Sequence, residues 1–241
     1  MRGLVSGLLG VSIWLTSSGA GAQAPSLPDR APVKVEHRAF SADDGALIHA
    51  DIYGTGSRGV VLAHGGRFTK ESWKPQAEQL ARAGFHVLAF DFRGFGRSHG
   101  PGESDMFKAP MHLDVLAAVR FLRRNGARTV AVIGASFGGS AAADASIASR
   151  PGEIDRLILL AAEGHGAAEG IKAPLLEIVA RDDANDEGPR LPHIRAWLDK
   201  VPQPKELLIL DGSAHAQLLF QTGNGRRVTT EIIRFLRARA K

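Results

Sequence analysis

The feature that most restricts what this chain can fold into is the passage from Arg128-Thr129-Val130-Ala131-Val132-Ile133 into Gly134-Ala135-Ser136-Phe137-Gly138-Gly139. A short apolar run rich in β-branched residues reads as a buried strand. The alanine-rich stretch that follows reads as a helix. The serine between glycines must therefore sit on the turn that joins them. Such a turn forces strained backbone angles on the serine, and glycines two residues to either side let neighbouring segments pack close. Its hydroxyl would stand above the end of a sheet. The Phe137 N–H would lie at a helix N-terminus, where unpaired donors and the helix dipole favour developing negative charge.

Elsewhere the pattern supplies the sheet that this turn needs. Period-two segments at 33–40 and 46–53, joined by the turn signal Asp43-Asp44-Gly45, predict an antiparallel hairpin. Apolar runs at 59–63, 85–90, 129–133, 156–161, 174–180 and 206–210 then alternate with amphipathic stretches, the signature of parallel strands covered on both faces. The clearest helix spans about 109–125, with Val115, Leu116, Val119 and Leu122 on one face and Asp114, Arg120, Arg123 and Arg124 turned away. The expected fold is therefore α/β: a three-layer α/β/α sandwich around a mostly parallel eight-stranded sheet, with the antiparallel hairpin at its N-terminal end. At 241 residues and 44% hydrophobic content the chain suits one compact domain.

Residues 1–24 read differently. Arg2, an apolar run from Leu4 to Leu15 and the small-residue pattern Ala22-Gln23-Ala24 predict a signal peptide cleaved near Ala24, followed by a Pro-rich linker over 25–32 and the main domain over 33–241. Export to a periplasmic or secreted location is the expectation. The apolar run is short and glycine-interrupted, so no stable membrane anchor is expected. The absence of cysteine excludes a disulfide framework and a lipid-bearing cysteine. A net charge of +5 comes from scattered arginines without aromatic interleaving, which argues against a nucleic-acid partner. Nothing in the sequence reports the oligomeric state.

A serine hydroxyl is a weak nucleophile at neutral pH and needs a histidine base held by an acid. In sheets of this topology reactive groups gather beyond the C-terminal ends of parallel strands, so the base is expected after the last strand, at His215. His37, His49, His86, His112 and His193 read as surface or packing residues, and His99 and His165 as loop residues able to touch a substrate. The acid is expected after the preceding strand, where Asp182 and Asp183 stand side by side; Asp183 is favoured, with Asp186 and Glu187 as outside candidates. A second oxyanion donor beside the Phe137 N–H is expected from His64-Gly65-Gly66-Arg67, at Gly66 or failing that Arg67, with His64 anchoring the loop. No metal-ligand spacing or phosphate loop is present, and no cofactor is expected.

With these pieces in order, His64-Gly65-Gly66, Asp91-Phe92-Arg93-Gly94-Phe95-Gly96-Arg97-Ser98, the Ser136 turn, the Asp183 loop and the His215 loop, the chain resembles the α/β-hydrolase superfamily, in its dienelactone-hydrolase-like and serine-esterase-like branch. The resemblance implies an esterase acting on a small-molecule or acyl ester, with a serine peptidase or acyltransferase, or a non-catalytic binding protein on the same fold, as alternatives. It also implies that the Asp91 segment is a structural turn. Serine at position 136 disfavours the epoxide-hydrolase and dehalogenase chemistry that relatives perform with aspartate there. The stretch 162–173 is too short for a helical cap, so an open site is expected, walled by 67–73, 100–109 and 163–170, with Phe68, Trp73, Phe95 and Phe137 as candidate lining.

Overall fold

A computed structural model describes residues 32–238. The signal peptide expected over 1–24, and the linker expected over 25–32 except Pro32, lie outside the described residues. The hairpin forms as β1 (Val35–Ser41) and β2 (Leu47–Tyr53), antiparallel and registered Phe40 opposite Ile48. Then come β3 (Arg58–Ala63), α1 (Lys74–Arg82), β4 (His86–Phe90), α2 (Met111–Arg124), β5 (Thr129–Ala135), α3 (Phe137–Ala148), β6 (Arg156–Leu160) and β7 (Leu175–Ala180). A two-stranded ribbon of β8 (Ala184–Asn185) and β9 (Gly188–Pro189), α4 (Arg190–Lys200), β10 (Lys205–Leu210) and α5 (Gly225–Arg237) complete the chain. The main sheet runs β1-β2-β4-β3-β5-β6-β7-β10, antiparallel at its first two pairings and parallel thereafter.

Alternation along the central strands builds two cores. Val61 and Ala63 of β3, with Val130 and Val132 of β5, join Val115, Val119 and Ala142 of α2 and α3 on one face. Val60, Leu62, Ala131 and Ile133 join Leu80 of α1 and Val228 and Ile232 of α5 on the other. A strand buried on both faces must be apolar at every position, which is why these segments read as unbroken runs. The chain steps from β3 outward to β4 and then back across β3 to β5, so the sheet's switch point lies at β3 and β5. A crevice opens there, beyond the C-terminal ends of the strands.

The helix expected to turn Asp114 outward instead buries it completely. Asp114 lies against Arg93, which is equally inaccessible, with Arg93 Nη2 donating to Asp114 Oδ1 at 2.6 Å and Nε at 3.0 Å. Asp44 of the hairpin turn pairs with the same guanidinium. Burying a carboxylate is tolerable only beside a compensating cation, and periodicity cannot register a partner 21 positions away. The 184–189 ribbon was also not legible, since two-residue strands carry no period.

Candidate active site

Ser136 joins β5 to α3 with φ 50° and ψ −122°. Among the described residues three others than glycine have positive φ: Ser136 and Ala161 after β6, which line the crevice, and Ala216, which follows His215. Each such residue costs about 1–3 kcal/mol, held in place by its surroundings. The flanking glycines are required by space. A Cβ on Gly134 would lie 2.4 Å from the Gly138 carbonyl oxygen, and one on Gly138 would lie 2.4 Å from the His64 carbonyl oxygen. Backbone cannot retreat from either, so the serine turn and the end of β3 fit together only through bare Cα atoms.

His215, in the loop after β10, and Asp183, in the loop after β7, meet Ser136. His215 Nε2 lies 2.7 Å from Ser136 Oγ, and His215 Nδ1 lies 2.7 Å from Asp183 Oδ2. Asp183 is 1% exposed. A carboxylate can only accept, so Nδ1 carries the proton and Nε2 is left to accept from the serine hydroxyl. Asp182, its neighbour, is exposed and ties its backbone N–H to the Gly212 carbonyl. Behind the pair, Arg190 opens α4. Its N–H donates to the Asp183 carbonyl at 2.9 Å, and its Nε stands 3.6 Å from Asp183 Oδ1.

The loop after β3 is held by a neutral histidine. His64 is wholly buried against Phe92 and Phe95, and burial pushes its pKa down to about 4, opposed by its bond to the Gly65 carbonyl. Phe92 N–H donates to Nε2 at 3.3 Å, so Nδ1 bears the hydrogen and donates to the Gly65 carbonyl at 2.9 Å. Phe68 N–H donates to that carbonyl as well, at 2.9 Å. A peptide's C=O and N–H point in opposite directions. Fixing the Gly65 carbonyl therefore fixes the direction of the Gly66 N–H, which makes no hydrogen bond to another described residue. Gly66 faces Phe137, its Cβ position falling 3.6 Å from Phe137 Cβ. The Phe137 N–H is the first of α3 and has no intrahelical acceptor.

Two unlike compartments lie in this region, of which only the first is lined by Ser136 itself. One, of about 260 Å³, is lined by Ser136, Ala161, Glu163, His165, Arg190 and His193. The other, of about 470 Å³, is lined by Met106, Phe107, Ala109, Phe137 and Ala141, with His112 and Asp144 among its polar wall. Ser140 and His165 border both. Asp144 orients His165, accepting from its Nδ1 at 2.8 Å and from its backbone N–H at 2.9 Å. Beneath the first compartment Glu177 of β7 is inaccessible to solvent; burial raises its pKa well above the usual carboxyl range, while the Ala162 N–H donates to Oε1 at 3.3 Å.

His193 is exposed, as expected, and also lines the polar compartment. His165 lies where a substrate could meet it, whereas His99 pairs through its backbone with Leu47 and borders neither compartment. Trp73 is core, packed on Phe220; Phe95 packs on His64, and Phe137 alone of the four candidate aromatics lines a compartment. The connection from β6 to β7 holds only a 3₁₀ turn at Ala168–Gly170, leaving both compartments open. No group of three or more acidic or histidine side chains suited to a metal occurs among the described residues. None of their helices is long and apolar enough to cross a membrane.

Residues 59–198 match the family model described as alpha/beta hydrolase fold. Among curated proteins the chain is similar to the bifunctional epoxide hydrolase 2 of Sus scrofa, 35% identical over 121 residues that make up 48% of this chain and 21% of that protein. It is also similar to a non-heme haloperoxidase of Rhodococcus erythropolis, 31% identical over 155 residues, 61% of this chain and 48% of that one. The chain thus spans only 21–22% of the length of the curated relatives it matches first. In fold it is similar to an esterase of Pyrococcus furiosus, with a TM-score of 0.71 at 20% identity over 85% of this chain and 92% of that one.

Proposed function

This chain belongs to the alpha/beta hydrolase fold family, and from that premise we propose that it is an exported serine hydrolase cleaving carboxylic esters through an acyl-enzyme on Ser136. The reading rests on one observation above all: the 2.7 Å and 2.7 Å contacts that string Ser136 Oγ, the His215 ring and Asp183 into a line. In this scheme His215 Nε2 takes the hydroxyl proton as Oγ adds to the substrate carbonyl carbon. The resulting oxyanion is met by the Gly66 and Phe137 N–H groups. His215 then returns its proton to the departing alcohol, leaving an ester on Ser136. Water, deprotonated by the same Nε2, repeats the addition and expels Oγ, releasing the acid.

Hydrolase relatives that open epoxides suggest a different substrate, but the chemistry of serine argues against it. Opening an epoxide with Ser136 would leave an ether, which has no carbonyl for water to attack, whereas acyl transfer leaves an ester that water can cleave. The two compartments suit a substrate with one polar and one hydrocarbon arm. Treatment with a fluorophosphonate tests the nucleophile: the wild type takes the label and Ser136→Ala does not. Rates on esters of graded chain length beside matched amides test the reaction class, and preference for amides would turn the assignment to a peptidase. An N-terminus beginning near Pro25 in exported protein tests cleavage of the leader.

A further inference from the structure

From the hydrogen bonds that link two loops 152 positions apart, we infer that Gln217 is a positioning residue that couples the base loop to the oxyanion loop; this rests on the serine-hydrolase reading. Gln217 follows His215 by two residues and is 6% exposed. Its Oε1 accepts from the Gly65 N–H at 2.8 Å, and its Nε2 donates to Ser72 Oγ at 2.9 Å, which in turn donates to the Thr69 carbonyl at 2.6 Å. One amide therefore reaches both ends of the 65–72 segment from the loop that carries the base.

Gly65 is held from two sides. Its carbonyl is fixed by His64 Nδ1–H and Phe68 N–H, and its own N–H by Gln217. The carbonyl clamp sets the plane that carries the Gly66 N–H. The Gln217 bond sets the plane before it, so the loop cannot rotate about Gly65 without breaking a buried bond. Ala216, at φ 50°, is the hinge that turns Gln217 inward immediately after His215. The strained residue and the brace are adjacent, which ties the position of the imidazole to that of the oxyanion donor. Neither His215 nor Gly66 can drift independently.

The test compares Gln217→Met, which keeps length and loses both polar atoms, with Gln217→Glu, which retains an acceptor for the Gly65 N–H. The readouts are turnover of p-nitrophenyl butyrate, inhibition by a trifluoromethyl ketone that forms a tetrahedral adduct, and exchange of the Gly65 amide hydrogen. In Gln217→Met the Gly65 amide loses protection and kcat falls about 10- to 100-fold with KM held within about 3-fold, part of the 10²–10³ that loss of a whole donor costs. Affinity for the ketone falls in the same ratio as kcat/KM. The pH midpoint of the rate stays in place, because His215 keeps its partners. Gln217→Glu keeps the acceptor for the Gly65 N–H but loses the donor to Ser72 Oγ and buries a charge, so it recovers protection of the Gly65 amide and only part of the rate.

Turnover in Gln217→Met within about twofold of wild type, or protection of the Gly65 amide without Gln217, overturns the inference. So does a loss of melting temperature with ketone affinity unchanged, which marks a residue that only packs. A wild type that neither labels with fluorophosphonate nor hydrolyses the ester overturns the hydrolase reading instead, and removes the catalytic half of this one. In that case the exchange measurement still decides whether the brace exists.

Discussion

His64 makes the structure's charge balance measurable. Its ring accepts from Phe92 N–H and donates to the Gly65 carbonyl, so a second ring proton would set N–H against N–H inside an inaccessible site. The imidazole is therefore held neutral, with a pKa brought from 6.5 down to about 4 chiefly by burial. A group depressed on folding binds fewer protons in the native state, so its stabilisation is complete above its unfolded value and is lost as pH falls through its folded one. The gap from 6.5 to about 4, at about 1.4 kcal/mol per pH unit, comes to about 3–4 kcal/mol in all. Linkage places about 2 kcal/mol of it between pH 7 and pH 5. His64→Gln supplies one donor and one acceptor without a titrating proton, and serves as the reference. Urea unfolding at stepped pH should show the wild type losing about 2 kcal/mol more than the variant over that interval, and the His64 ring signal should titrate near 4 by NMR. Equal pH slopes for the two proteins, or a His64 midpoint near 6.5, would refute the assignment of the ring as a neutral clamp.

Three further outcomes are expected. Asp183→Asn should lower kcat by on the order of 10⁴ with little change in KM, since an amide can present N–H to Nδ1 and turn the imidazole to the wrong tautomer; steady-state kinetics decides it. Arg93→Met should cost about 3–5 kcal/mol in urea unfolding by stranding Asp114, whereas adding Asp114→Leu should restore most of the loss. Glu177 has the opposite sign to His64: a carboxyl whose pKa is raised on folding costs stability as pH rises above about 4.5. Unfolding measured against pH should show Glu177→Gln gaining on the wild type from pH 4.5 upward, and a flat difference would show that Glu177 is not held protonated.

Much was legible in the sequence because much of it is local. A strand buried on both faces must be written almost wholly in apolar residues, so β3, β4, β5 and β6, and β7 apart from Glu177, stood out and their ends erred by only a residue or two. The turn at Ser136 needs glycine on both sides, and that spacing survives in any one-dimensional reading. Chain order then pointed to the loops holding Asp183 and His215, because a parallel sheet brings its C-terminal ends to one rim whatever lies between. Those rules name loops, however, and not side-chain directions.

Direction was decided only in three dimensions. The string favours Asp183 over Asp182 only by its place in the loop; their side chains part because the 184–189 ribbon and the Arg190 N–H hold Asp183 toward His215. Asp114 shows no outward sign of a buried cation until Arg93 arrives from another loop, and Gln217 shows none of a glycine 152 positions earlier. Period and propensity act over a few residues, whereas a buried hydrogen bond is satisfied by whatever polar group the closed sheet sets within about 3 Å. Apolar runs and glycine spacing set the layers and the rim; close packing sets which atoms meet there.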